Sequence, residues 1–336
     1  MSIQFNACRY VAVLAVLAVI AALVPLPSRA GVIGGFTANG FTFINFDPST
    51  GALAGSNANG ISNKGHVVGT GANANGTFAN FTGTPALTTA LNLGAQAMAF
   101  GINSAGYVVG TDNGAAFFLT PKGVEEPLLV PTGATSAFGI SDRGYIVGQF
   151  TNANGATPGF FLRSRTNKTF VTIDAPSGPN IVNAQAINNF GLIVGFYVGT
   201  DGQDHGLMAN LAQAHKGVLT GIAIPDPAIP NVAGEPGAAF VFSQLLGVND
   251  AGIAVGYYGD STTSQHGFIY NTNTGTYTFL DDPAEAFLNG VEVTQITGIA
   301  DSGELAGFYT DANAVAHSFT ACPPYAFCPN YPNDLP

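Results

Sequence analysis

An eleven-residue pattern recurs six times along this 336-residue chain, and self-similarity at a fixed period constrains a fold more than any local propensity. The copies are Gly60–Thr70, Gly101–Thr111, Gly139–Gln149, Ala186–Phe196, Gly247–Tyr257 and Gly298–Phe308, spaced by about 48 residues on average. Each part of the pattern has a mechanical reading. A short apolar strand ends at Ile or Val, a polar pair such as Asn249-Asp250 opens a turn, and Gly252 supplies the positive φ that closes a tight hairpin. The next strand carries a second glycine (Gly69, Gly110, Gly148, Gly195, Gly256, Gly307), which inside a strand signals a bulge or the close approach of another backbone.

Two more strand-like runs flank each hairpin. Upstream stand Phe43 to Pro48, Thr89 to Leu93, Leu128 to Pro131, Val171 to Pro176, Ile222 to Pro227 and Tyr277 to Pro283. Downstream stand Thr77 to Phe81, Phe117 to Leu119, Gly159 to Leu162, His205 to Met208, His266 to Tyr270 and His317 to Phe319. Four short antiparallel strands per unit is the size of a propeller blade and too long for a coil of parallel β-helix. The pattern predicts an all-β fold, a six-bladed β-propeller of four-stranded antiparallel blades spanning residues 31–321. Seven blades or an open β-repeat array are the alternatives. The opening run Gly31 to Thr37 reads as a stray fourth strand that closes the ring against the C-terminal strands.

Residues 1–30 stand apart from the repeats. Arg9, the apolar run Tyr10 to Leu26 and the small-x-small site Ser28-Arg29-Ala30 resemble a secretory signal peptide, which places the mature chain outside the cell, in the periplasm or in the cell envelope. The run is at the short limit for a membrane span. Residues 322–336 form a Cys/Pro-rich tail, in which Cys322 and Cys328 can pair in an oxidising compartment; their spacing suits no CxxC redox or zinc motif.

The recurrent Gly-Ile-Asn-x-x-Gly-x-Ile-Val-Gly-x-Tyr followed by His-Gly-Phe, as in Gly247 to Tyr258 with His266-Gly267-Phe268, resembles the bacterial HAF family of extracellular repeat proteins. The resemblance covers roughly residues 41 to 320. It implies export and a propeller-like β repeat, and brings no activity with it. The first two units lack the His-Gly-Phe form and the last reads His317-Ser318-Phe319.

Charge narrows the partners. Only 9% of residues are charged and the net charge is −11. The acidic excess lies in the second half, where Lys216 is the only Lys or Arg beyond residue 180. A surface of that sign repels nucleic acid and anionic lipid, so neither is expected as a partner, and no membrane contact is expected after signal cleavage.

Candidate chemistry is sparse. His205, His266 and His317 occupy one position in three units, where they either converge on a channel as a ligand site or serve each repeat's own packing. Asp201, Asp204, Asp260 and Asp311 sit in the loops before those histidines, the kind of oxygen-rich setting calcium prefers; no other cofactor is indicated. Asp47, Asp174, Asp226 and Asp281 recur beside proline at the ends of the upstream runs. The longest gap between signatures holds an insertion around Gly217 to Gln244, with Asp226 and Glu235, where a ligand-contacting loop is expected. No nucleophile elbow, zinc-protease, Walker or dinucleotide motif is present in the sequence. The leading expectation is therefore a secreted, non-enzymatic binding or scaffold module for an extracellular partner or polysaccharide. The alternative is an extracellular carbohydrate-active hydrolase or lyase with carboxylates (Asp281, Asp282, Glu285, Glu292) at the channel mouth.

Overall fold

The computed structural model describes residues 31–48, 53–128, 135–164, 169–230, 237–285 and 291–328. The proposed signal peptide, Glu235 and the end of the tail lie outside the described residues. The chain forms a six-bladed β-propeller whose blades are six sheets, each built on four antiparallel strands.

Blade 1 runs from the axis outward as Leu53–Ile61, Val67–Asn73, Phe78–Thr84 and Leu87–Leu91. Blade 2 is Met98–Ile102, Val108–Asp112, Ala115–Leu119 and Glu125–Pro127. Blade 3 is Thr135–Ile140, Ile146–Phe150, Gly159–Leu162 and Phe170–Asp174. Blade 4 is Val182–Ile187, Leu192–Val198, Asp204–Asn210 and Ile222–Ala223. Blade 5 is Phe240–Val248, Ile253–Asp260, Gln265–Asn271 and Thr276–Phe279. Blade 6 takes Thr294–Ile299, Leu305–Thr310 and Ala316–Cys322 from the C-terminal end and its outermost strand, Phe41–Asp47, from the N-terminal end.

That closure corrects the strand assignment read from sequence. Five of the runs upstream of the signatures overlap the outermost strand of the preceding blade, so Phe43 to Pro48 belongs to blade 6 and not to blade 1; in blade 2 that strand is Glu125–Pro127, ahead of the expected Leu128 to Pro131, of which residues 129–131 lie outside the described residues. Gly31–Ala38, expected to be the closing fourth strand, instead pairs outside Phe41–Asp47 as a fifth strand.

The signature's apolar dipeptide explains why the blades assemble. Successive side chains on a strand point to opposite faces, and a blade sheet is covered on both. Val67 packs into the core between blades 6 and 1, and Val68 into the core between blades 1 and 2. Val108 and Val109, Ile146 and Val147, Ile193 and Val194, Ala254 and Val255, and Leu305 and Ala306 divide in the same way, so six interblade cores close a circle. Each such side chain contributes about 1.5–3 kcal/mol by leaving water when it is Val, Ile or Leu.

The two glycines answer to the same packing. Every innermost strand carries a bulge next to the first residue of its signature, a glycine in five blades and Ala186 in blade 4, as between Ala137 and Gly139. Opposite that bulge, a Cβ on Gly148 would overlap the Ser136 carbonyl and meet the Phe160 ring at 2.7 Å. At the axis, a Cβ on Gly101 would come within 2.7 Å of the Phe138 carbonyl of the next blade. The bulge residues themselves (Asn59, Phe100, Phe138, Gln185, Leu246, Thr297) line a narrow central space of about 80 Å³.

Cys322 ends the last strand and is disulfide-bonded to Cys328. Among the described residues no helix is long and apolar enough to cross a membrane.

Candidate functional site

The repeated histidines sit in brackets of one design. In blade 4, His205 Nδ1 lies 3.1 Å from Asp226 and its Nε2 3.1 Å from Asp201, while its ring lies 5.7 Å from Tyr197. In blade 5, His266 Nδ1 lies 3.0 Å from Asp281 and its Nε2 3.9 Å from Asp260, with its ring 5.1 Å from Tyr258. In blade 6, His317 pairs Asp47 at 2.9 Å and Asp311 at 3.5 Å, with Tyr309 at 5.4 Å. Each bracket ties the loop between strands two and three to the end of the outermost strand. In blade 6 it also fastens the N-terminal closing strand to the last blade, a contact between residues 270 apart in sequence.

Electrostatics favour the charged form of His205 and His317. Burial alone would lower the His317 pKa, but the hydrogen bond and charge of Asp47, with the charge of Asp311, outweigh it and hold the ring above its usual value. His205 is raised in the same way, burial being overcome by Asp226 and Asp201.

The loop aspartates expected to favour calcium spend their oxygens locally. Asp260 accepts the N–H groups of Thr262 and Ser264, and Asp311 those of Asn313 and Val315. Asp201 accepts from Gln203 N–H, and Asp204 accepts from the Gln244 amide at 2.8 Å. Among the described residues no group of three or more His, Cys, Asp or Glu is arranged to hold a metal ion.

Asp281, Asp282, Glu285 and Glu292 do gather, on the connection from blade 5 to blade 6. None of them lines the central space. Glu285 accepts from Thr294 Oγ1 at 2.6 Å, and burial together with the charge of Asp281 pushes its carboxyl up to about 9. Asp282 is fully buried and pushed up to about 6.

The feature that sequence reasoning missed lies between blades 3 and 4, on the face of the signature turns. After Asp204–Asn210 the chain leaves blade 4 and runs through a short 3-10 turn, Leu211–Gln213. It then adds Val218–Thr220 as a fifth, parallel strand on the outer edge of blade 3 before returning as Ile222–Ala223. The break in the repeat therefore starts at Leu211, ahead of the expected Gly217, and Asp226 within it pairs with His205. The excursion walls a groove of about 300 Å³ lined by Arg143, Tyr145, Arg163, Asn189, Phe190 and Leu211 among others. Such a volume is at the lower end of small-ligand sites. Phe190 stands 69% exposed at its turn with the Arg143 guanidinium 6.0 Å from its ring centroid. The Arg143 N–H donates to Asn189 Oδ1 at 3.0 Å, which joins the two turns. A signal did exist in the sequence: five of the seven Lys and Arg residues beyond residue 30 fall between 143 and 216.

No family model and no curated protein sequence matches the chain. Solved propellers do resemble it at a distance. Aleuria aurantia lectin, in complex with alpha-methyl-L-fucoside, is 9% identical over 83% of this chain and 96% of its own, with a TM-score of 0.44. The BP39L lectin from Burkholderia pseudomallei is 13% identical over 89% and 97%, with a TM-score of 0.43. The β-propeller domain of the Trilobed protease from Pyrococcus furiosus is 8% identical over 92% and 100%, with a TM-score of 0.44. Likenesses this distant carry nothing about what this chain binds.

Proposed function

We propose that this chain is an exported binding module of the HAF-repeat kind that holds an extracellular polysaccharide and does no chemistry on it. One observation carries the reading: where the repeat breaks, the excursion at Leu211–Thr220 walls a groove that presents an exposed aromatic ring beside two arginines. Elsewhere the repeated polar groups are consumed by the fold itself, the histidines by their aspartates and the turn asparagines by neighbouring turns. An exposed Phe offers the flat apolar face on which a sugar's C–H groups stack, and a rigid ring pre-organises it.

The test is retention of the purified chain on a panel of insoluble and immobilised polysaccharides, with Phe190→Ala as the site variant and Glu285→Gln as the chemistry variant. The expected result is retention that Phe190→Ala weakens and Glu285→Gln leaves intact, with no new reducing ends or unsaturated products. Product release abolished by Glu285→Gln would overturn the non-enzymatic reading. Export is checked separately by cell fractionation and the mass of the mature N-terminus, expected at Gly31.

A further inference from the structure

We infer that the groove between blades 3 and 4 is a subsite for an acidic sugar, its ring on Phe190 and its carboxylate on Arg143 and Arg163. The inference rests on the groove being the glycan site and adds the chemical class of its ligand.

The fifth residue of the signature turn is where the repeat tolerates anything: Lys64, Ala105, Arg143, Phe190, Ala251 and Ser302 occupy it around the ring. An arginine next to an aromatic occurs there once, in blades 3 and 4, and the Arg143–Asn189 hydrogen bond fixes the two turns against each other. Arg163 reaches the same groove from the end of the third strand of blade 3. Among the described residues neither Arg143 nor Arg163 makes an ion pair, in a chain whose net charge is −11. Both guanidiniums are exposed, and the guanidinium fork matches a carboxylate in a plane.

Asp142, beside Arg143 in sequence, is turned elsewhere, and Asp250 accepts from the N–H and Nδ2 of Asn189. Asp142 accepts from Ser104 N–H at 2.7 Å, from Ser104 Oγ at 2.9 Å and from Asn63 Nδ2 at 3.0 Å, all on blades 1 and 2. Arg143, one residue on, faces blade 4. A bare inorganic anion would leave Phe190 and the half-buried Tyr145 unused, whereas a pyranoside places C–H groups on the ring and hydroxyls within reach of the polar lining.

The experiment is calorimetric titration of the purified chain with galacturonate, glucuronate and alginate oligomers, with the same oligomers as neutral methyl esters, and with a sulfated dextran oligomer. The expected result is a uronate bound at least tenfold more tightly than its ester. Arg163→Ala should weaken the acid by about tenfold to a hundredfold, as loss of a charged hydrogen bond does, and leave the ester unchanged. Phe190→Ala should weaken both. Equal affinity for acid and ester, still lost in Phe190→Ala, overturns the acidic class and leaves the groove reading standing. Tighter binding of the sulfated oligomer overturns the carboxylate assignment. Binding of no glycan, or binding that survives Phe190→Ala, overturns the groove reading and this inference together.

Discussion

Asp282→Asn removes a buried charge and should stabilise the fold in a way that depends on pH. Asp282 is 0% exposed, and its Oδ1 accepts from Asn45 Nδ2 at 3.0 Å and from Ala284 N–H at 2.8 Å. Its Oδ2 has no hydrogen-bond partner among the described residues. Burial, reinforced by the charge of Asp281, raises the carboxyl from 3.8 to about 6 against the pull of those two hydrogen bonds. An acid whose pKa is raised by folding costs nothing below its unfolded value, and the cost is complete above the folded one. At 1.36 kcal/mol per pKa unit, the penalty is about 1 kcal/mol at pH 4.5 and about 3 kcal/mol at pH 8. Asparagine keeps the accepting oxygen and places an unpartnered NH₂ where Oδ2 was, a fixed cost at both pH values. The readout is therefore the difference: Asp282→Asn should gain about 2 kcal/mol relative to wild type between pH 4.5 and pH 8. In calorimetry that is a melting-point gain of about 4 °C at pH 8 over the change at pH 4.5. A change of equal size at both pH values would refute the argument that a buried carboxylate penalises this fold.

Three further outcomes follow from the same structure. Gly148→Ala puts a methyl into the Ser136 carbonyl and the Phe160 ring and should cost about 3 kcal/mol or more, read as a fall in the urea midpoint; a neutral result would mean the bulge relaxes freely. His317→Gln should lower stability more at pH 6 than at pH 8.5. A histidine raised by Asp47 and Asp311 contributes fully below its unfolded value of about 6.5 and loses that contribution as pH rises through the folded one; a gap between wild type and variant that does not narrow with pH would contradict it. Cys322→Ser with Cys328→Ser opens a bridge between residues only 6 apart, so the loss should stay near or below about 2 kcal/mol, with the propeller's circular dichroism unchanged.

The blades were legible because the same physical demand is met six times. A sheet buried on both faces needs adjacent apolar residues, and the Ile-Val of each signature supplies them, split between neighbouring cores. The frame of the repeat was not legible. A unit of four strands has the same period whether it starts at its innermost or its outermost strand, and only pairing between Phe41–Asp47 and Ala316–Cys322 decides the matter. That pairing joins segments more than 270 residues apart, which no local pattern encodes.

The candidate site was illegible for the complementary reason. Period-based reading ranks residues by how often they recur, and recurrence selects His205, His266 and His317, whose partners are the fold's own aspartates. Recognition uses what the repeat leaves unconstrained. The fifth turn residue, at the rim, and the bulge residue, turned to the axis, are two positions where composition changes from blade to blade while the backbone stays the same. Arg143 and Phe190 are 47 residues apart in sequence, yet the ring sets their turns side by side because each is the same turn of adjacent blades. In a closed repeat, then, a ligand site is sought by aligning the units and reading their differences in the order of the ring, which makes Arg143–Phe190 a neighbouring pair before any side chain is placed.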